Sequence, residues 1–215
     1  MGQLISGLVF RGQQGGYANQ GTNGGFMMNS LGELVVMDWL QKAVLDGSVY
    51  QVRAGTITTP LTGDVEITDT AAEMSADAAV GTTIIPVRLM FDVEALGGTL
   101  PHITSKSVAT VSSAGTAFIP LPMRSGGSAA VSTARVQAAG AVTVTAELAT
   151  TTLRHTGFTG SGIGDAAIHR AENLIPAPVL VGPRSFYVQV GSVTTGSTYF
   201  ISFEYVEYDS ALVER

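Results

Sequence analysis

The chain has 215 residues, a formal net charge of −6, 45% apolar and only 13% charged residues, and no cysteine. That length suits one large β-sandwich. Without cysteine there is no disulfide framework and no thiolate metal site, and without a basic patch direct nucleic-acid binding is disfavoured. The charged fraction is about half the usual ~25%. A surface so poor in charge suits a protein covered by neighbours, because charge is depleted at interface centres.

The first thirty residues hold one charge, Arg11, and the tract "GQQGGYANQGTNGG" (12–25) has no Val, Ile or Leu. Such a composition does not repay the entropy of ordering by itself. Leu4, Ile5, Leu8, Val9, Phe10, Tyr17, Phe26, Met27 and Met28 are nevertheless spaced through it. Residues 1–30 therefore read as a flexible N-terminal arm that orders against another surface. Its apolar run, Leu4 to Phe10, is too short to span a bilayer or to form a signal-peptide core.

Residues 31–215 read as a single domain. It opens with a helix over about 33–46, with a capping box at Ser30 and Glu33 and a C′ glycine at Gly47. Asp38, Gln41 and Lys42 share one face of that helix, and Trp39 is expected to be buried among Leu34, Met37, Leu40, Val44 and Leu45. From there the period changes to two. In "TIIPVRLMFDVEA" Ile85, Val87, Leu89, Phe91 and Val93 fall on one face, opposite Pro86, Arg88, Asp92 and Glu94. Further strands are predicted at "AVTVTAEL", "SFYVQVG" and "TYFISFEYVEY", with weaker ones at "SVYQVRA", "TITT", "DVEIT", "SVATVS" and "TAFIPL". "DTAAEMSADAAVG" (69–81) and "GDAAIHRAEN" (164–173) read as short helices carried in loops. Many short strands between Gly, Pro and Ser turns predict an all-β sandwich or barrel.

Chemistry-bearing patterns are sparse. His102, His155 and His169 stand far apart with no His-x-x-x-His pair for zinc. "GFTGSGIGD" (157–165) misses both phosphate-loop spacings and the hydrolase elbow, and reads as a loop between strands. Asp64, Glu66, Asp69, Glu73 and Asp77 lack EF-hand spacing and read as a solvated acidic edge rather than a calcium site. No nucleophile stands beside a base in a recognisable pattern. The expectation is a non-enzymatic chain with no cofactor and no metal.

The arm at 12–25, the strand "TTIIPVRLMFDVEALGG", the Pro-broken "AFIPLPMRSGG" and the aromatic last strand "STYFISFEYVEY" together resemble the single jelly-roll capsid proteins of icosahedral viruses, tailless bacteriophages included. The likeness is one of layout over most of residues 48–208, with no diagnostic motif. It implies a jelly-roll β-sandwich of two four-stranded sheets, with arms that exchange between subunits. It further implies a self-assembling coat protein of the virion, whose partners are copies of itself in pentamers or hexamers and other capsid proteins. The chain departs from many such proteins in lacking a basic arm, which leaves Leu4 to Phe10 to meet neighbouring subunits or an internal membrane. The arm contact is assigned to Leu4, Ile5, Leu8, Val9, Phe10, Tyr17, Phe26 and Met27. The rival readings are a secreted carbohydrate- or other ligand-binding sandwich, another virion component such as a spike, fibre or tail, and a sandwich hydrolase using Asp64 or Glu66.

Overall fold

The computed structural model describes residues 38–56, 58–62, 67–95, 102–137, 141–146, 152–157, 168–174, 176–191 and 198–213. In chain order these form helix α1 (Trp39–Asp46) and strands β1 (Val49–Ala54), β2 (Leu61–Thr62), β3 (Ala71–Ala72), β4 (Met74–Ala78), β5 (Thr82–Ala95) and β6 (His102–Val108). Next come β7 (Ser113–Ala114), β8 (Thr116–Phe118), β9 (Leu121–Pro122), β10 (Thr133–Val136) and β11 (Val142–Thr143). The chain closes with β12 (Thr152–Gly157), β13 (Ile168–Asn173), β14 (Leu180–Val181), β15 (Arg184–Gly191), β16 (Thr198–Asp209) and the short helix α2 (Ser210–Val213).

The fold is all-β, in three antiparallel sheets. A seven-stranded sheet runs β13-β5-β16-β1-β9, with β14 on β5 and β2 on β16; a six-stranded sheet runs β12-β6-β15-β4-β10-β8. The third sheet, β3-β11-β7, is small. Eight strands, β1, β4, β5, β6, β12, β13, β15 and β16, pair in a nested way: first with eighth, second with seventh, third with sixth, fourth with fifth. The connection from β6 to β12 supplies β7 to β11. It lengthens the six-stranded sheet at β10 and β8 and places β9 beside β1.

The main core lies between the two large sheets. Tyr199, Ile201, Phe203 and Tyr205 of β16 meet Phe186, Val188 and Val190 of β15 and Met74, Ala76 and Ala78 of β4. Tyr187, on the other face of β15, packs with Ala72, Val108, Val142 and Val144 under the small sheet. Ala43 of α1 packs with Val49, Val87 and Val206 on the outer face of the seven-stranded sheet. Both large sheets are therefore covered on two faces over part of their area, so strict alternation of buried and exposed residues gives way to continuous burial.

Helix α1 starts later than its sequence pattern. Asp38 is the N-cap, accepting from the Leu40 and Gln41 amides at 2.9 and 3.4 Å, while Ser30 and Glu33 lie outside the described residues. Gly47 ends the helix at φ 78°, in the left-handed region that favours glycine. Trp39, expected inside, is 46% exposed, because the helix buries only Ala43 fully and turns its first residue outward.

Strand β5 departs from its predicted face at one residue. The ladder with β16 runs Glu204↔Arg88 and then Tyr205↔Pro86, leaving Val87 as an extra residue. This bulge splits the predicted face: Ile84, Leu89, Phe91 and Val93 face the main core, while Ile85 and Val87 face α1. A proline, which has no ladder donor, is tolerated at such a place.

Both segments predicted as loop helices are strands where they are described, residues 164–167 lying outside the described residues. In 69–81, β4 lies between β15 and β10, with all of its residues buried. Pairing on both edges overrides the helix propensity of alanine. Residues 168–173 pair with β5 from Ile168↔Val93 to Asn173↔Arg88. Among the described residues, "TITT" yields only an isolated Thr56↔Thr59 bridge around a turn, and "AVTVTAEL" keeps a strand only at Val142–Thr143. "SVATVS" leaves the ladder after Val108, and most of "DVEIT" lies outside the described residues. Gly182 passes so close to the β4–β5 turn that a Cβ there would stand 1.9 Å from the Ala79 carbonyl oxygen, so only glycine fits.

Candidate functional site

Three buried carboxylates organise the surroundings of the β6–β12 connection. Glu207, at the end of β16, accepts from the Val131 and Ser132 amides at 2.9 Å each and from the Ser132 hydroxyl. The Ser132 hydroxyl also meets the Tyr205 phenol at 2.6 Å. Asp77 of β4 takes the Ser112 amide at 3.0 Å and the Ser112 hydroxyl at 2.7 Å, and Ser75 extends that chain at 2.7 Å. Glu73 accepts from the Val190 amide at 2.8 Å. Carboxylates that gather backbone N–H groups form strong charge-assisted bonds. Two of the three bind the β6–β12 connection, so their structural effect is to fasten that insertion to the sandwich.

Burial, partly offset by the Ser132 hydrogen bond and reinforced by Glu207 and Tyr50, holds the Tyr205 phenol well above the usual tyrosine range. Burial and then Glu207 push Tyr50 the same way. In the unfolded chain tyrosine releases its proton near pH ~10. Above that pH the folded state retains protons that the unfolded state has lost. The stabilisation is complete below about pH 10 and falls as pH rises, by up to about 1.4 kcal/mol per pH unit for one such group. Urea titrations at pH 9 to 11 are expected to show this alkaline decline, and Tyr205→Phe to make it shallower. An unchanged slope in that variant would assign the decline elsewhere.

The acidic run is not a solvated edge throughout. Glu73 and Asp77 are 2% and 4% exposed and serve as amide acceptors, while Asp69 is exposed at 3.6 Å from the buried Lys106 ammonium. Asp64 and Glu66 lie outside the described residues, as do residues 158–165 of the glycine-rich segment and every arm residue, Leu4, Ile5, Leu8, Val9, Phe10, Tyr17, Phe26 and Met27. His102 is exposed at the start of β6. His155 and His169 sit on strands of different sheets, opposite Thr104 and Asp92. Among the described residues no group of three or more His, Asp or Glu side chains is placed to hold a metal ion.

What composition alone did not locate is a cleft at the open edge of the sandwich. It encloses about 810 Å³ between β1, β2 and β9 of one sheet and β8 and β10 of the other. Leu61, Phe118, Leu121 and Val136 give it an apolar lining, with Thr56, Thr59 and Thr116 at its walls and Arg53 and Gln137 as polar groups. Among the described residues the buried Gln137 side-chain oxygen has no hydrogen-bond partner. Large apolar side chains also stand exposed around the insertion and on α1: Val111, Ile119, Leu121, Met123 and Val131, with Trp39 and Leu45.

No family model, no curated protein and no solved structure matches the chain.

Proposed function

We propose that the chain is a jelly-roll coat subunit that self-assembles into an icosahedral virus or bacteriophage shell, with residues 1–30 docking on neighbouring subunits. The nested pairing of the eight strands supports the jelly-roll part. It is the pattern of one long antiparallel hairpin rolled into two facing sheets, a fold that capsid and lectin domains share. Because fold does not fix function, the functional part needs its own support.

The observation that carries it is the insertion. Its backbone is held by buried carboxylates, yet Ile119, Leu121, Met123 and Val131 point outward. Apolar groups held rigidly in water lose little entropy when a partner covers them, which suits a contact surface. A stable contact of this kind covers roughly 1,200 Å² or more. In the sequence only 13% of residues are charged, so little charge must be desolvated on association.

The test is deletion of residues 1–28, with particles followed by light scattering and electron microscopy at high concentration. The full chain is expected to form large closed particles and the truncated chain to fail or to form irregular ones. Unaltered particles from the truncated chain remove the arm from the reading. A full chain that stays a 22.2 kDa monomer at every concentration removes the shell.

The cleft favours a second reading, a ligand-binding sandwich. Among the described residues its one aromatic side chain, Phe118, is a meagre platform for a sugar ring, and exposed Trp39 does not line it. Sugar-dependent thermal stabilisation of a monomer would promote this reading above the first.

A further inference from the structure

We infer that the cleft at the open edge of the sandwich is the seat for residues 3–10 of a second copy, which enter as an added strand beside β1. This rests on the assembly reading above and names the receiving surface on the neighbour.

The ladder itself points there. β1 pairs with β16 along its whole length, but with β9 only at Tyr50↔Pro122 and Gln51↔Leu121. Among the described residues no strand pairs with Val52, Arg53 or Ala54 on that side. The Met123 amide donates to the Val49 carbonyl at 2.9 Å, so Val49 directs its backbone polar groups toward β9. Strand groups alternate with a period of two. Gln51 and Arg53 therefore direct theirs the same way, and Arg53 has no ladder partner there. The N–H and C=O of Arg53 stand at the cleft as a donor and an acceptor ready for one more strand.

The neighbouring edge is closed by chemistry. Counting outward from the same ladder, Pro122 of β9 and Pro120, just before it, occupy positions that turn away from β1, and proline has no N–H to offer. Proline on an edge strand blocks unspecific sheet-to-sheet pairing. The recessed stretch at Arg53 is thus the part of this edge open to a ladder bond, and its setting inside a cleft admits a thin extended segment rather than another folded sheet.

Side chains agree with the backbone. In an extended "QLISGLVF", Leu4, Leu8 and Phe10 share one face. They meet a lining of Leu61, Phe118 and Val136. Residues 3–10 carry no charge, so none must be desolvated on entry. The extended chain from Leu8 to Asp38 reaches up to roughly 100 Å, ample for a neighbour. This is strand addition, in which main-chain bonds give affinity and side-chain pockets give register.

The absence of cysteine makes the test clean. Full-length chains carrying Leu8→Cys are mixed with full-length chains carrying Thr116→Cys, and oxidised mildly under assembly conditions. A thiol pair held in the seat has an effective concentration in the millimolar range, so the mixture should give a disulfide-linked dimer about a hundredfold faster than either variant alone. Adding Val136→Glu to the Thr116→Cys chain should abolish that excess, while light scattering of the chain alone reports whether it still assembles. Particles that form without the mixed dimer overturn the seat and leave the assembly reading standing. A chain that neither assembles nor cross-links overturns both. A rapid internal disulfide in a monomeric Leu8→Cys/Thr116→Cys chain would show the chain's own arm in the cleft and overturn the second-copy occupant.

Discussion

Phe203→Ala is expected to lower the unfolding free energy by about 4 kcal/mol, within the usual range for truncating a buried aromatic. Phe203 is fully buried on β16, the strand flanked by β5 and β1. Its ring centroid lies 5.3 Å from Phe186 of the facing sheet and 5.7 Å from Tyr205 on its own strand. Tyr205 in turn lies 5.9 Å from Tyr50. Such pairs add about 0.5–1.5 kcal/mol beyond area burial. Collapse into the gap is resisted because ladders on both sides fix the position of β16. Urea denaturation at low protein concentration, where association does not add apparent stability, gives the value. Leu212→Ala, at an exposed position of α2, should stay within about 0.5 kcal/mol. A Phe203→Ala loss below about 2 kcal/mol would mean that the sheets close over the cavity.

The strands that the sequence made legible are those whose two faces differ. β15 and β16 combine β-branched and aromatic residues at a period of two, and their core sides, Phe186, Val188 and Val190 against Tyr199, Ile201, Phe203 and Tyr205, are those the spacing predicts. The misread β4 is buried throughout and lacks the β-branched and aromatic residues that mark β15. Met74, Ala76 and Ala78 face one hydrophobic layer while Ser75 and Asp77 are bonded under the insertion. No alternation of polarity survives there, and the alanines together with the Thr70–Glu73 spacing imitate a helix start. The deciding information is the pairing with Arg184–Val188 and Thr133–Val136, remote along the chain.

One residue of slip is equally invisible to periodicity. Val87 and Arg88 both turn to the outer face of the seven-stranded sheet, and the bulge between them and Pro86 reverses the faces of everything before it. Pro86 was the available signal, since a proline within a long strand asks for a break in the ladder. The same limit hid the candidate site. Glu204 alternates with the aromatic face of β16, yet it is buried in a two-point ion pair with Arg88 at 3.0 and 2.7 Å. The cleft is made by five strand edges drawn from distant segments, which no local pattern contains.

The insertion gives the second large effect. Glu207→Gln is expected to cost about 3 kcal/mol, although the shape is retained. The carboxylate receives three donors at one place, the amides of Val131 and Ser132 and the Ser132 hydroxyl, from partners 76 and 75 residues away. A glutamine presents one oxygen and one NH2 group, so at least one buried donor would face another donor. An unmet buried donor costs about 1–3 kcal/mol, and the charge-assisted character of the remaining bonds is lost as well. The damage should be local before it is global. Residues 123–132 are fastened by this carboxylate and by the Met123 amide on Val49, and Arg124 stands exposed between the two anchors. Trypsin should therefore cut after Arg124 far faster in Glu207→Gln than in Phe203→Ala, even if the latter loses more global stability. Equal cleavage in the two variants would mean that the segment opens only with the whole fold. If the carboxylate is the clamp, Glu207→Gln should also impair assembly more than its stability loss alone predicts, because it loosens the backbone that presents Ile119, Leu121 and Met123.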